Sequence, residues 1–155
     1  MVSTKTVDSF LERIAKDDAK QSVAKFRMSV PLMEGDYQYY KGIGEWQHVY
    51  PAAEFSKDES GNLVFQKSNG LVILHFTNLM TNQEKDAAKT AASLLPMTFA
   101  AIEGADGRSL IVLVSISNEE GKIPTKEEEA DLLYQSAYEQ VKTLYQAQVH
   151  ANIKP

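Results

Sequence analysis

The sequence predicts an α+β domain with a mainly antiparallel, mixed sheet and helices packed on one face of that sheet. Three observations lead to this fold class. Apolar residues recur at helical spacing in three segments, two pairs of short apolar runs flank polar loops that contain glycine, and one almost uniformly apolar run lies between the pairs. The predicted order is helix, hairpin, strand, helix, hairpin and helix. A chain of 155 residues has the length of one domain.

The N-terminal part of the chain predicts an amphipathic helix followed by an irregular segment. Val7, Phe10, Leu11 and Ile14 fall at helical spacing, and the next residues extend or follow this helix. Met33–Tyr50 mixes four tyrosines and the tryptophan with glycines, which favours a loop that covers one end of the core. The alternative for this segment is a platform on which nucleic-acid bases stack.

The predicted strands follow from runs of apolar residues bounded by turn residues. Ala52–Ser56 and Leu63–Gln66 predict a hairpin, because a polar loop with glycine separates them. Leu71–Phe76 is apolar at nearly every position, which predicts a central strand buried on both faces. Met97–Ile102 and Leu110–Ser117 predict the second hairpin.

Two later helices are predicted from their N-terminal signals. Thr81–Glu84 fits a capping box, and the alanine-rich helix after it runs to about Leu95. Thr125–Glu128 fits a second capping box before a helix that runs to about Gln148. The acidic run Glu127–Glu129 lies in the first turn of that helix, where negative charge is favoured by the helix dipole, so a metal site is not needed to explain it.

Composition excludes several classes of function. The chain has no cysteine, which excludes disulfides, thiolate zinc sites and cysteine nucleophiles. The N-terminus lacks the apolar core of a signal peptide, and no apolar run has the length of a membrane span, so we expect a cytoplasmic protein without a membrane partner. The net charge is -5, whereas non-specific nucleic-acid binders usually carry a basic excess. Nucleic-acid contact would need a local basic patch, whose candidates are Lys25, Arg27, Lys41, Lys67 and Arg108.

The loop between the last two predicted strands is the best candidate for ligand contact. Gly104 and Gly107 would let backbone N–H groups approach a ligand closely. Asp106, Arg108 and Ser109 stand beside these glycines and are the candidate phosphate- or nucleic-acid-binding residues. The two glycines are no nucleotide fingerprint, because such a match requires a strand followed by a helix, and this loop joins two strands.

Short motifs in a fixed order run through the second half of the chain. They are Asn69-Gly70-Leu71-Val72, Asn78-Leu79, Leu95-Pro96, Thr98, Ala100-Ala101, Gly104, Gly107-Arg108-Ser109, Gly121, Pro124, Ala137-Tyr138 and Tyr145. This pattern resembles the N-terminal domain of virulence-associated protein E-like proteins of mobile elements, which is distantly related to archaeo-eukaryotic primase-polymerase domains. The resemblance implies a primase-polymerase-like fold with an RRM-like core. It also implies that residues 1–155 are the N-terminal part of a longer protein, with a helicase-type ATPase domain or protein as partner.

The resemblance also locates an ancestral site and shows what it lacks. Active primase-polymerases carry two acids at positions i and i+2 of the strand that corresponds to Leu71–Asn78, so that both carboxylates hold divalent metals. His75 and Thr77 occupy these positions here, and both are poor ligands for Mg²⁺. In the loop, Asp106 replaces the family's serine and Ile111 its lysine. We therefore predict a domain without catalytic residues, bound metal or cofactor.

Three functions are compatible with these observations. The first is a catalytically degenerate primase-polymerase-like domain of a replication or mobilisation protein, which binds DNA or nucleotide weakly or positions a partner. The second is a protein-interaction or assembly module with no nucleic-acid role, which the acidic net charge fits equally well. The third is a working nucleotidyltransferase with rearranged metal ligands, for which Glu54, Glu103 and Asp106 are the candidates.

Overall fold

The computed structural model describes residues 5–17, 20–29, 49–150 and 153–154, and the chain divides into two compact units. The described part of the larger unit consists of residues 50–104, 108–150 and 153–154, and that of the smaller unit consists of residues 5–17, 20–29, 105–107 and Val49. No helix among these residues has the length and apolar character needed to cross a membrane. The expectation of one domain at the start of a longer protein stays a prediction.

The described part of the smaller unit contains two helices. α1 spans Val7–Ala15, which confirms the predicted amphipathic helix, and Thr6 caps it by accepting a hydrogen bond from the Ser9 backbone N–H at 3.1 Å. α2 spans Lys20–Ser29 and follows α1 as a separate helix. The predicted aromatic loop lies outside the described residues except for its last two positions, 49 and 50.

The first predicted hairpin is confirmed, with its strand ends shifted by one or two residues. β1 spans Ala53–Lys57 and β2 spans Leu63–Ser68, paired antiparallel as a two-stranded sheet. Asp58 closes the turn, because its carboxylate accepts the Asn62 backbone N–H at 2.8 Å and the Asn62 side-chain amide at 3.2 Å. These hydrogen bonds favour the charged carboxylate and lower the pKa of Asp58.

Among the residues that the structure describes, the second sheet has four strands in the order β4-β5-β3-β6. β3 spans Leu71–Phe76, β4 spans Thr98–Glu103, β5 spans Leu110–Ser115, and β6 spans Ile153–Lys154. All of its pairings are antiparallel, so the mainly antiparallel character was predicted correctly. β3 lies between β5 and β6, and the neighbouring Leu71 and Val72 point to opposite faces and are both buried, which confirms the central strand.

The core lies on the face of this sheet that α3 and α4 cover, as predicted. α3 spans Asn82–Ser93 and contributes Ala88 and Ala92, while α4 spans Glu127–Val149 and contributes Tyr145. Alternate residues of a strand point to one face. The buried residues that β3 and β5 supply to this core are Val72, Leu74, Phe76, Leu110, Val112 and Val114.

One predicted capping box is confirmed and the other is wrong. At α3 the Thr81 hydroxyl accepts the Glu84 backbone N–H at 3.1 Å, and the Glu84 carboxylate accepts the Thr81 backbone N–H at 3.0 Å. α4 instead begins at Glu127, with Lys126 as N-cap and no hydrogen bond from a capping side chain. The helix starts one residue later than the predicted cap Thr125 requires, and the negative charges of its first turn interact favourably with the helix dipole.

Replacing Thr81 with alanine is expected to lower the free energy of unfolding by about 1 kcal/mol, because the Glu84 backbone N–H loses its acceptor. Urea denaturation followed by circular dichroism measures this change. Thr125→Ala is the matched control and should leave the midpoint unchanged, since Thr125 caps no helix. Equal destabilisation by the two substitutions would show that the capping box contributes nothing particular to α3.

Candidate functional site

The loop between β4 and β5, residues 104–109, is closed at its base by a backbone hydrogen bond. The Gly104 N–H donates to the Ser109 carbonyl at 2.8 Å, and Ser109 is only 2% exposed. Gly107 adopts a left-handed φ of 71°, which glycine takes without steric cost. Among the three predicted phosphate-binding residues, Ser109 is therefore part of the buried base, whereas Asp106 and Arg108 are half-buried and reach solvent.

Arg27 of α2 packs against the tip of this β4–β5 loop within the smaller unit. Its Nε donates to the Ala105 carbonyl at 3.1 Å. A Cβ atom at Gly107 would lie 3.2 Å from both the Cδ and the Nε of Arg27, so only glycine leaves full room for the arginine at this distance. No local sequence pattern predicts this contact, because Arg27 and Ala105 are 78 residues apart.

Arg108 links the loop to the segment that follows β3. Its carbonyl accepts the Leu79 backbone N–H at 2.9 Å. The segment 77–79 carries Thr77, one of the two ancestral site residues. This hydrogen bond holds Arg108 beside Leu79, which lies two positions after Thr77.

The two ancestral site residues have different surroundings. His75 lies within β3, half-buried, opposite Ile111 of β5 and Lys154 of β6. Thr77 follows the last residue of β3 and lines a surface depression that His75 does not line. The alternation of a strand ends at Phe76, so spacing alone does not determine where Thr77 points.

The depression has a volume of about 350 Å³ and lies where three pieces of the larger unit meet. Residues 77–79 form one side, and Glu84, Ala87 and Ala88 of α3 form another. Val149 and His150, at the C-terminal end of α4, complete it. Sequence reasoning missed this site because its parts come from distant segments.

Two of the three acidic residues of the third hypothesis, Glu54 and Glu103, lie beside lysines. Lys85 Nζ is 2.8 Å from Oε1 of Glu103, and Lys67 Nζ is 3.9 Å from Oε1 of Glu54. Glu54 belongs to the two-stranded sheet and Glu103 to the four-stranded sheet. Within the described ranges, no group of three His, Cys, Asp or Glu residues is placed to hold a metal ion.

The predicted basic patch is described only in part. Lys41 and the side chain of Lys25 lie outside the described residues, and Lys67 lies beside Glu54. Arg27 contacts the backbone of the β4–β5 loop, and Arg108 is part of that loop. Arg27 belongs to the smaller unit, together with Ala105, whereas Arg108 belongs to the larger unit.

A known protein family matches most of the chain. Residues 43–155 match the family described as BT4734-like, N-terminal domain. The chain belongs to this family. The matched range contains β1 to β6, α3, α4 and the β4–β5 loop, and it leaves out α1 and α2. No curated protein and no solved structure matches the chain.

Proposed function

We propose that this BT4734-like N-terminal domain is a catalytically degenerate primase-polymerase-like domain that binds nucleic acid or nucleotide weakly. It would serve a replication or mobilisation protein of a mobile element, with a helicase-type ATPase domain or protein as partner. The observation that carries the proposal is the β4–β5 loop. Gly107 has a left-handed backbone conformation and lies against the side chain of Arg27, and the residue that follows it is Arg108. Arginine side chains and exposed backbone N–H groups are the usual contacts to phosphate.

The absence of paired acids at the ancestral positions supports a binding role over a catalytic one. Phosphoryl transfer with divalent metals requires carboxylate ligands that hold the ions near the reacting oxygens. His75 and Thr77 offer an imidazole and a hydroxyl instead. The resemblance of the second half of the chain to virulence-associated protein E-like proteins supports the mobile-element setting.

The test is a titration of single-stranded DNA into wild-type protein and Arg108→Ala at several salt concentrations. A phosphate contact by Arg108 releases about one counterion, so the variant should bind more weakly and its salt slope should fall by about one. Arg13→Ala is the matched control, since it removes the same charge from α1, outside the loop. An unchanged slope in Arg108→Ala would contradict a phosphate contact at this residue.

Two other results would favour the alternative functions. Triphosphate binding that requires Mg²⁺ or Mn²⁺ would favour a nucleotidyltransferase with rearranged ligands. Absence of binding to both DNA and triphosphate at low salt would favour a protein-interaction or assembly module.

A further inference from the structure

Asn69 is the only asparagine of the chain that is followed by a glycine. In a flexible chain, the backbone nitrogen of such a glycine attacks the Cγ atom of the asparagine side chain, because glycine has no side chain to hinder the approach. The new N–C bond closes a succinimide ring, and the side-chain nitrogen leaves as ammonia together with the proton of the glycine N–H. Water then opens the ring and leaves aspartate or isoaspartate at position 69.

The Asn69–Gly70 peptide bond is the junction between the two-stranded sheet and the four-stranded sheet. On one side, the Asn69 backbone N–H donates to the Ala52 carbonyl at 2.8 Å, which continues the pairing of β1 with β2. On the other side, the Gly70 carbonyl accepts the Ile116 backbone N–H at 2.8 Å, which continues the pairing of β3 with β5. A chemical change at this peptide bond therefore acts on both sheets.

Two hydrogen bonds hold the groups that would react. The Gly70 backbone N–H, which carries the nucleophilic nitrogen, donates to Oγ of Ser68 at 3.2 Å. The Asn69 side-chain amide, which carries the leaving nitrogen, donates to the Pro51 carbonyl at 2.9 Å. Gly70 is buried, and Ser68 and Asn69 are half-buried. Succinimide formation removes the proton from the Gly70 nitrogen and the nitrogen from the Asn69 side chain, so it breaks both hydrogen bonds.

We propose that Asn69 is a deamidation site that these two hydrogen bonds restrain in the folded protein, and that its reaction uncouples the two sheets. Aspartate at position 69 has no side-chain N–H to donate to the Pro51 carbonyl, and its charged carboxylate would face that carbonyl oxygen. Isoaspartate also adds one atom to the main chain between the position 69 N–H and the Gly70 carbonyl. The hydrogen bonds of these two groups with Ala52 and Ile116 would then lose their register.

The test follows deamidation of the full chain at mildly alkaline pH. Tandem mass spectrometry of the tryptic peptide after Lys67 measures the mass gain at Asn69 in the folded protein and in the chain unfolded by guanidinium chloride. The folded wild type should react at least about tenfold more slowly than the unfolded chain, because two hydrogen bonds must break first. Ser68→Ala removes the acceptor and should raise the folded rate roughly fivefold, with the unfolded rate unchanged. Ser68→Thr keeps the hydroxyl and should react like the wild type.

Thr81→Ala is the matched control for the reaction rate, because it lowers the stability of the protein at α3, away from the Asn69 contacts. Equal acceleration by Thr81→Ala and Ser68→Ala would show that Asn69 reacts only after global unfolding, and it would overturn the local restraint. A folded wild type or Ser68→Ala protein that departs from the expected rates in the other direction has the same meaning: equal rates for folded and unfolded wild type, or for Ser68→Ala and folded wild type, overturn the restraint. No mass gain at Asn69 in the unfolded chain would overturn the site itself.

Asn69→Asp imitates one product and tests the uncoupling of the sheets. Its urea denaturation midpoint should lie below that of wild type, because the hydrogen bond to Pro51 is lost. Asn118→Asp is the matched control, since Oδ1 of Asn118 accepts the backbone N–H groups of Glu120 and Lys122 and a carboxylate accepts them as well. A midpoint of Asn69→Asp equal to that of wild type would overturn the uncoupling.

Discussion

Replacing Gly70 with alanine is expected to lower the free energy of unfolding by about 3 kcal/mol. Gly70 has a left-handed φ of 63°, which an alanine adopts only with strain. A Cβ atom there would lie 2.8 Å from the Ile116 carbonyl oxygen and 2.8 Å from Cγ1 of Ile123. Backbone strain and steric overlap therefore act together at this position.

The overlap at Gly70 is hard to relieve because the same residue sets the start of β3. The Gly70 carbonyl accepts the Ile116 backbone N–H at 2.8 Å, directly beyond the paired residues Leu71 and Ser115. Moving the backbone away from an added Cβ would stretch this hydrogen bond at the end of a core strand pair. The Ile123 side chain has some freedom to move, but the Ile116 carbonyl has little.

Gly61→Ala provides the matched control for Gly70→Ala. Gly61 has a φ of 83° but nothing lies within 4 Å of an added Cβ, so only the strain of the left-handed backbone applies, about 1 kcal/mol. Urea denaturation of the two variants beside wild type measures the difference. A loss at Gly70 no larger than that at Gly61 would show that the contacts with Ile116 and Ile123 adjust freely.

The elements that were predicted correctly depend on local patterns. The β1–β2 hairpin, the central strand β3 and the capping box of α3 each arise from neighbouring residues whose chemistry favours one conformation. Thr81 and Glu84 satisfy each other's backbone N–H groups whatever the rest of the chain does. Patterns of this kind predict which helices and strands exist, while the observed ends of these elements differ from the predicted ends by one or two residues.

The features that were missed depend on contacts between distant segments. Thr125 resembles an N-cap as well as Thr81 does, but α4 begins at Glu127 with Lys126 as its N-cap. Arg27 contacts Ala105, which lies 78 residues later in the sequence, and no local sequence pattern predicts a contact over this separation. The depression at Asn78 and His150 likewise forms only because the end of α4 meets the end of β3.

Truncation of Tyr145 is expected to destabilise the protein more than the substitution at Gly70. Its side chain is fully buried in the core of the larger unit, and Tyr145→Ala should lower the free energy of unfolding by about 4 kcal/mol through lost contacts and the resulting cavity. The Tyr145 hydroxyl lies 2.5 Å from Oγ1 of Thr98, which donates to the Ala92 carbonyl at 2.6 Å. Tyr145→Phe keeps the ring and removes this hydrogen bond, so it should lower the free energy of unfolding by about 1 kcal/mol.

The buried hydroxyl also makes stability depend on alkaline pH. Burial raises the pKa of Tyr145 above its ordinary value of 10.0, and the hydrogen bond with Thr98 offsets this only in part. Above about pH 10 an unfolded chain releases this proton while the folded chain keeps it, so the free energy of unfolding falls as the pH rises. Below pH 10 both states are protonated and the contribution is constant.

Urea denaturation of wild type and Tyr145→Phe between about pH 8 and pH 11 measures this dependence. The stability difference between the two proteins should shrink as the pH rises, because phenylalanine has no proton to lose. Tyr134→Phe serves as a control, because burial and the neighbouring Tyr138 also raise the pKa of Tyr134. A difference between wild type and Tyr145→Phe that stays constant across this range would mean that Tyr145 ionises in the folded protein as easily as in the unfolded chain. Its hydroxyl would then not be held in the dry contact with Thr98 that joins the end of α4 to the start of β4.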